Sequence, residues 1–166
     1  MSDWRMRLAG DAAVTVAFEP RIDPVINARV VALAAGVRAA RHPGVRDVVP
    51  SYCAVTVYFD PLRTDLDRLW AALEQAAAAG VDAAGPAREV VVRVRYGGPA
   101  GPDLDAVAAF AGCSTDDVVR RHTAQRYRVY MVGFLPGFPY LGTVDARIAM
   151  PRRSSPRLAV PAGSVG

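Results

Sequence analysis

Residues 130–166 read YMVGFLPGFPYLGTVDARIAMPRRSSPRLAVPAGSVG. Five of the 13 prolines fall after residue 135. Proline fixes φ and removes a backbone donor, so this run cannot be helical. It reads as short strands separated by fixed turns. Two parts of it differ in chemistry from the rest. The first is a corner of glycines, prolines and aromatics containing Phe134, Pro136, Gly137 and Phe138. Such a corner is either a preformed wall presenting backbone N–H groups to an amide or carboxylate, or a tight bend that packs Phe134, Phe138 and Tyr140 into the core. The second is a basic turn, Arg152, Arg153 and Arg157 around Ser154 and Ser155. Guanidinium forks grip carboxylate or phosphate in bidentate fashion. A solvated turn, or pairing with a partner's carboxylates, would use the same residues.

Upstream, Tyr127 to Phe134 reads as a strand, preceded by a helix capped by Ser114 or Thr115 and ending near Thr123. His122, in that helix's last turn, is a general-base candidate or a cation placed against the helix dipole. Asp103 to Gly112 forms a short helix after the Gly97–Pro102 loop, and Glu89 to Tyr96, EVVVRVRY, reads as a strand by its β-branched content. Residues 77–88 are small and turn-rich, which puts a domain boundary near Pro86, with domains at 1–86 and 87–166.

The first half follows the order β-α-β-β-α. Ala13 to Phe18 alternates as a strand; Asp23-Pro24 caps a helix whose buried stripe is Ile26, Val30, Leu33 and Val37. Val45 to Val49 and Tyr52 to Phe59 are strands. Thr64 with Asp67 resembles a capping box, and Leu66, Leu69, Trp70 and Leu73 make the second helical stripe. The fold class is α+β, a small sheet with helices on one face.

Composition removes several chemistries. All 20 basic residues are Arg, so a P-loop or a Schiff-base site cannot be built. Residues 1–86 carry nine Arg against ten acids; residues 87–166 carry 11 against six. The basic second half suits a small anion or an acidic partner surface, and the Arg residues are not interleaved with a stacking platform for nucleic acid. No apolar run is long enough to span a membrane, and the N-terminus shows no secretory h-region, so a cytoplasmic protein is expected. Cys53 and Cys113 are expected as core thiols. No metal-ligand spacing is present, and Ala162-Gly163-Ser164 lacks the nucleophile-elbow pattern.

The segment Gly133-Phe134 with Pro136-Gly137-Phe138-Pro139-Tyr140-Leu141, then Pro151-Arg152-Arg153, Pro156-Arg157 and Val160-Pro161-Ala162-Gly163-Ser164-Val165-Gly166, resembles the signature of a family that includes the 5-oxoprolinase B subunit, KipI and allophanate hydrolase subunit 1. Gly10-Asp11-Ala12, Ile22-Asp23-Pro24, Asp60-Pro61 and Tyr96-Gly97-Gly98 with Gly101-Pro102-Asp103-Leu104 agree with it upstream. The resemblance implies a small α/β N-terminal domain followed by a cyclophilin-like β-barrel, which is incomplete here because such chains continue beyond GSVG. Either the chain is a fragment or a partner supplies the missing strands, and a fragment is expected. It further implies one component of an ATP-dependent hydrolase that opens 5-oxoproline to glutamate, inactive alone and working with the C-type and A-type 5-oxoprolinase proteins as partners. ATP, with or without Mg, is the implied cofactor. On this reading His122 is the catalytic candidate, while Phe134, Pro136, Gly137, Phe138, Arg152, Arg153 and Arg157 bind substrate or nucleotide. The same resemblance allows a regulatory inhibitor of a sensor histidine kinase, or subunit 1 of an allophanate hydrolase or urea carboxylase system.

Overall fold

The computed structural model describes residues 3–79 and 88–166; the boundary expected near Pro86 lies outside the described residues. Two units are distinguished, Met1–Val91 with Tyr127–Thr143, and Val92–Arg126 with Val144–Gly166.

In the first unit, β1 (Trp4–Leu8), β2 (Ala13–Phe18), α1 (Pro24–Ala40), β3 (Val45–Pro50), β4 (Ala54–Phe59) and α2 (Leu66–Ala78) follow in chain order. The strands form an antiparallel sheet in the order β1-β2-β4-β3. The pleat sends Val14, Val16 and Phe18 of β2 and Val55, Val57 and Phe59 of β4 to one side, where they meet Ile26, Val30, Leu33 and Val37 of α1 and Leu69 and Leu73 of α2. Full burial of each such side chain contributes roughly 1.5–3 kcal/mol. Trp4, Met6 and Trp70 pack against the margin of this core. On the opposite face the Thr15 and Thr56 hydroxyls, cross-strand partners, lie 3.0 Å apart.

Local signals placed most of these elements. The Asp23 carboxylate accepts from the N–H groups of Val25 and Ile26 at 2.8 and 3.1 Å, ahead of proline in the first turn of α1. Gly44 ends the turn after α1 because a Cβ there would lie 2.2 Å from the Thr64 hydroxyl. Three expectations change. β1 precedes the first expected strand, and its Trp-Arg-Met-Arg-Leu alternation turns Trp4 and Met6 inward. β4 begins at Ala54, after a bend at Tyr52 and Cys53. The cap of α2 is Asp65, whose carboxylate accepts from the Arg68 N–H at 3.1 Å; the Thr64 hydroxyl donates instead to the Pro43 carbonyl.

The first unit also holds the hairpin β5 (Val129–Val132) and β6 (Pro139–Leu141). β5 is shorter than the expected Tyr127–Phe134 strand, because Phe134 leaves the extended region with φ 62°. A buried polar residue fastens this hairpin. The Asn27 amide, on α1, donates toward the carbonyls of Ser51, Tyr52 and Tyr130 at 3.3, 3.4 and 3.0 Å. The Tyr52 hydroxyl donates to the Leu141 carbonyl at 3.1 Å. Tyr130 also lies against Gly142, where a Cβ would be 2.2 Å from its ring.

In the second unit, α3 (Leu104–Ala111) and α4 (Thr115–Thr123) pack with a short 3-10 turn, Ala146–Ile148. Ala108, Val118 and Ile148 are its buried residues, flanked by Leu104, Val107, Ala111, Cys113 and Val144. Gly112, at φ 60°, ends α3, and Ser114 with Asp117 forms a complete capping box on α4. The expected strand Glu89–Tyr96 pairs with no strand among the described residues, and Val90, Val91 and Val92 are exposed. β-branched residues suit an extended backbone, but a strand also requires a neighbour's N–H and C=O groups. The fold is α+β, and the barrel is not closed: beyond residue 88, among the described residues, only β5 and β6 pair. Cys53 and Cys113 are free thiols, each half-buried beside its unit's core.

Candidate functional site

Three groupings contain the residues marked by the sequence: one in the first unit, two in the second.

The aromatic corner caps the β5–β6 hairpin. The Leu135 N–H donates to the Gly133 carbonyl at 2.7 Å around Phe134, which makes a γ-turn with a bulky residue at positive φ. Placing a non-glycine residue there costs on the order of 1–3 kcal/mol, and such strain gathers at ligand-binding segments. The Phe138 N–H donates to the Leu135 carbonyl at 3.0 Å, the Gly133 N–H donates to the Phe138 carbonyl at 3.1 Å, and Gly137 supplies a second positive φ of 81°. These bonds fix the corner from within, occupying three of its N–H groups. The rings are not core residues: Phe134 is 82% exposed and Phe138 43%. They form a ladder instead. Phe134 meets Phe138 edge-on at 5.7 Å, Phe138 meets Tyr140 at 5.1 Å, Tyr140 meets Tyr52 at 6.3 Å and Tyr52 meets Tyr130 at 5.5 Å. Edge-to-face spacing of this kind favours aromatic pairs beyond their buried area. Burial raises the Tyr52 phenol above its usual pKa, keeping it a neutral donor.

In the second unit, the last turn of α4 carries Arg120, Arg121 and His122. His122 Nδ1 is hydrogen-bonded to the Tyr96 hydroxyl, and the rings meet edge-on at 5.8 Å. Burial lowers the imidazole's pKa, so the ring is neutral at neutral pH and able to take up or relay a proton. Tyr96 opens a shallow concavity lined by Arg95, Tyr96, Gly97, Gly98, Pro99 and Ala100. Gly101 must lack a side chain, since a Cβ would stand 2.5 Å from the Gly97 nitrogen. This folds the glycine-rich loop back on itself and sets Tyr96 and Asp103 at its two ends.

The third grouping brings two of the three marked arginines onto one carboxylate. Arg157 Nη1 and Nη2 each donate to Asp103 at 2.6 Å, and Arg153 Nη1 donates to the same carboxylate at 3.1 Å. The Arg157 and Arg153 guanidiniums hold the Asp103 carboxyl below the usual range. Asp103 stands at the cap position of α3 but makes no side-chain cap bond, its oxygens being turned to the guanidiniums. Arg152 has no ion pair among the described residues. Sequence reading passed over Asp103 and Tyr96 as site residues. Both had a signal in the motif Tyr96-Gly97-Gly98 with Gly101-Pro102-Asp103-Leu104; the pairing of Asp103 did not show, because its partners lie 50 and 54 positions away. Among the described residues, no group of three or more His, Cys, Asp or Glu could hold a metal ion, and no helix is long and apolar enough to cross a membrane.

A sheet-and-helix unit followed by an unclosed strand set, with the proline-glycine-aromatic corner and the basic turn, defines a class: the chain belongs to the carboxyltransferase domain family, subdomains C and D, which matches residues 4–166. Among its relatives, the 5-oxoprolinase B subunit of Bacillus subtilis (strain 168) is 35% identical, the match covering 98% of this chain and 72% of the relative. The protein of the same name in Escherichia coli O157:H7 is 38% identical, covering 98% of this chain and 73% of the relative. Among solved structures, TTHA0988 superposes with a TM-score of 0.76 at 33% identity, over 95% of this chain but only 30% of that one. The Kluyveromyces lactis urea amidolyase, at 18% identity and a TM-score of 0.58 over 82% of this chain and 10% of that one, shares the fold alone.

Proposed function

We propose that this chain acts as the B component of an ATP-dependent 5-oxoprolinase, contributing one part of a site that a C-type partner completes, with an A-type protein also in the assembly. The observation that carries this reading is the match of nearly the whole chain to two proteins named as the B subunit of 5-oxoprolinase. The chemistry of the described residues supports it. Opening 5-oxoproline breaks the ring C–N bond and adds water across it, which calls for anion binding, proton movement and a dry wall against the ring. The basic turn fits a carboxylate or phosphate, neutral His122 suits proton movement, and the exposed rings of Phe134 and Phe138, on a corner fixed by Pro136 and Gly137, fit an apolar wall closed by another polypeptide. Where ATP binds, the basic turn that carries Arg152, Arg153 and Arg157 is the part of this chain suited to its phosphates; ATP would supply the driving force for opening the lactam.

The test is reconstitution. The chain alone is expected to show no 5-oxoproline-dependent ATP turnover, and turnover is expected once the C-type and A-type proteins are added. Turnover by the isolated chain, or none in the full assembly, would rule the reading out.

A further inference from the structure

We infer that the three arginines of the basic turn divide their work: Arg157 and Asp103 anchor the turn, while Arg152 and the outward edge of Arg153 meet the anionic group of the ligand. The inference rests on the proposed function only for which anion is bound. Residues 151–160 are exposed and contain no helix or strand. Among the described residues, the polar contacts that tie this stretch to the rest of its unit all end on Asp103. A single carboxylate therefore fixes a segment that backbone pairing leaves unfixed.

The geometry separates the three side chains. Arg157 engages both terminal nitrogens with the two Asp103 oxygens at 2.6 Å. A planar fork engaged in this way cannot offer the same edge to a ligand. Arg153 gives one nitrogen, at 3.1 Å, and keeps its other edge. Arg152 gives none among the described residues. Three guanidiniums against one carboxylate leave two positive charges in excess, and these lie with Arg152 and Arg153. The ligand group is a carboxylate or a phosphate, both of which match a guanidinium edge. Asp103 is thus a positioning residue, acting through the arginines it holds.

The experiment uses the isolated chain, so its outcome does not depend on turnover by the assembly. Inorganic phosphate and acetate are titrated separately while the arginine side-chain NMR resonances are followed, and ¹⁵N relaxation reports the order of the amides of 152–155 and 157–160, the non-proline residues of the turn. Arg152→Gln is expected to weaken anion binding about three- to ten-fold, the scale of one charge-assisted hydrogen bond at an exposed site, and to leave the turn's order unchanged. Arg157→Gln and Asp103→Asn are each expected to drop the order parameters of these amides below about 0.6, the flexible range, and the double variant to be no looser than either single one. Arg157→Lys, which keeps charge but loses the fork, should fall between. A response to phosphate alone assigns the site to a nucleotide, and a response to acetate alone assigns it to a carboxylate substrate; both support the division. Unchanged anion binding in Arg152→Gln, absent binding of both probes, or unaltered order in Arg157→Gln would overturn it.

Discussion

In the first unit, 15 buried residues among those described make one continuous core between a four-stranded sheet and two helices. In the second, three buried residues serve two short helices and a 3-10 turn. The second unit compensates with polar devices: the capping box of Ser114 and Asp117, the Asp103–arginine cluster, and the Asp145–Arg147 pair, which holds the Asp145 carboxyl at about 2. Exposed ion pairs each contribute little, so these devices orient side chains more than they hold the unit together. Stability resides in apolar burial and is concentrated in one unit. The His122 and arginine groupings sit on the lightly packed one, as expected of segments that must adapt to a ligand or partner.

The contrast can be broken or sharpened by substitution. The largest effect is expected from Leu73→Ala, fully buried in the first core: a loss of about 2–5 kcal/mol, read by chemical denaturation. If Ile148→Ala in the second unit cost as much, the contrast would fail. Next comes Asn27→Ala. It leaves the Ser51, Tyr52 and Tyr130 carbonyls without their donor, an expected loss of about 1–3 kcal/mol. Proteolysis within 127–143 should quicken before global unfolding if Asn27 is what fastens the hairpin. Ser114→Ala should cost about 1 kcal/mol, visible as faster amide exchange in α4 and in no strand of the first unit.

The smallest effect expected is one of pH. Burial depresses the His122 pKa in the folded chain, so the unfolded chain takes up the proton first as pH falls below about 6.5. The second unit should therefore be fully stable above that pH and lose stability as pH falls through the lowered folded value. His122→Gln should flatten this dependence, measured by amide exchange in α4 against pH. An equal dependence in the variant would place its origin elsewhere.

Local signals made the first unit readable. Asp23-Pro24, the Ile26–Val37 stripe and the alternation of β4 each need only a few neighbouring residues to be recognised. β1 was harder, since two arginines in five residues mask an inward-facing Trp4 and Met6. In the second unit the capping box and Gly112 were legible for the same local reason. The strand expected at Glu89–Tyr96 was misread because pairing is non-local, and propensity carries no information about a partner. The corner and the basic turn stood out by composition. Their wiring did not: the γ-turn at Phe134, the Tyr96–His122 bond and the choice of Asp103 as a shared anchor depend on the folded path of the chain.

Both tryptophans, Trp4 and Trp70, lie against the first core, and the second unit has none. Indole emission is therefore an optical reporter of one unit only. Denaturant could melt α3, α4 and the arginine cluster while the fluorescence trace stayed flat, and a single sigmoid in that channel would pass for cooperative unfolding of the whole. Placing an indole at Phe110, half-exposed on α3, would give the silent unit its own signal.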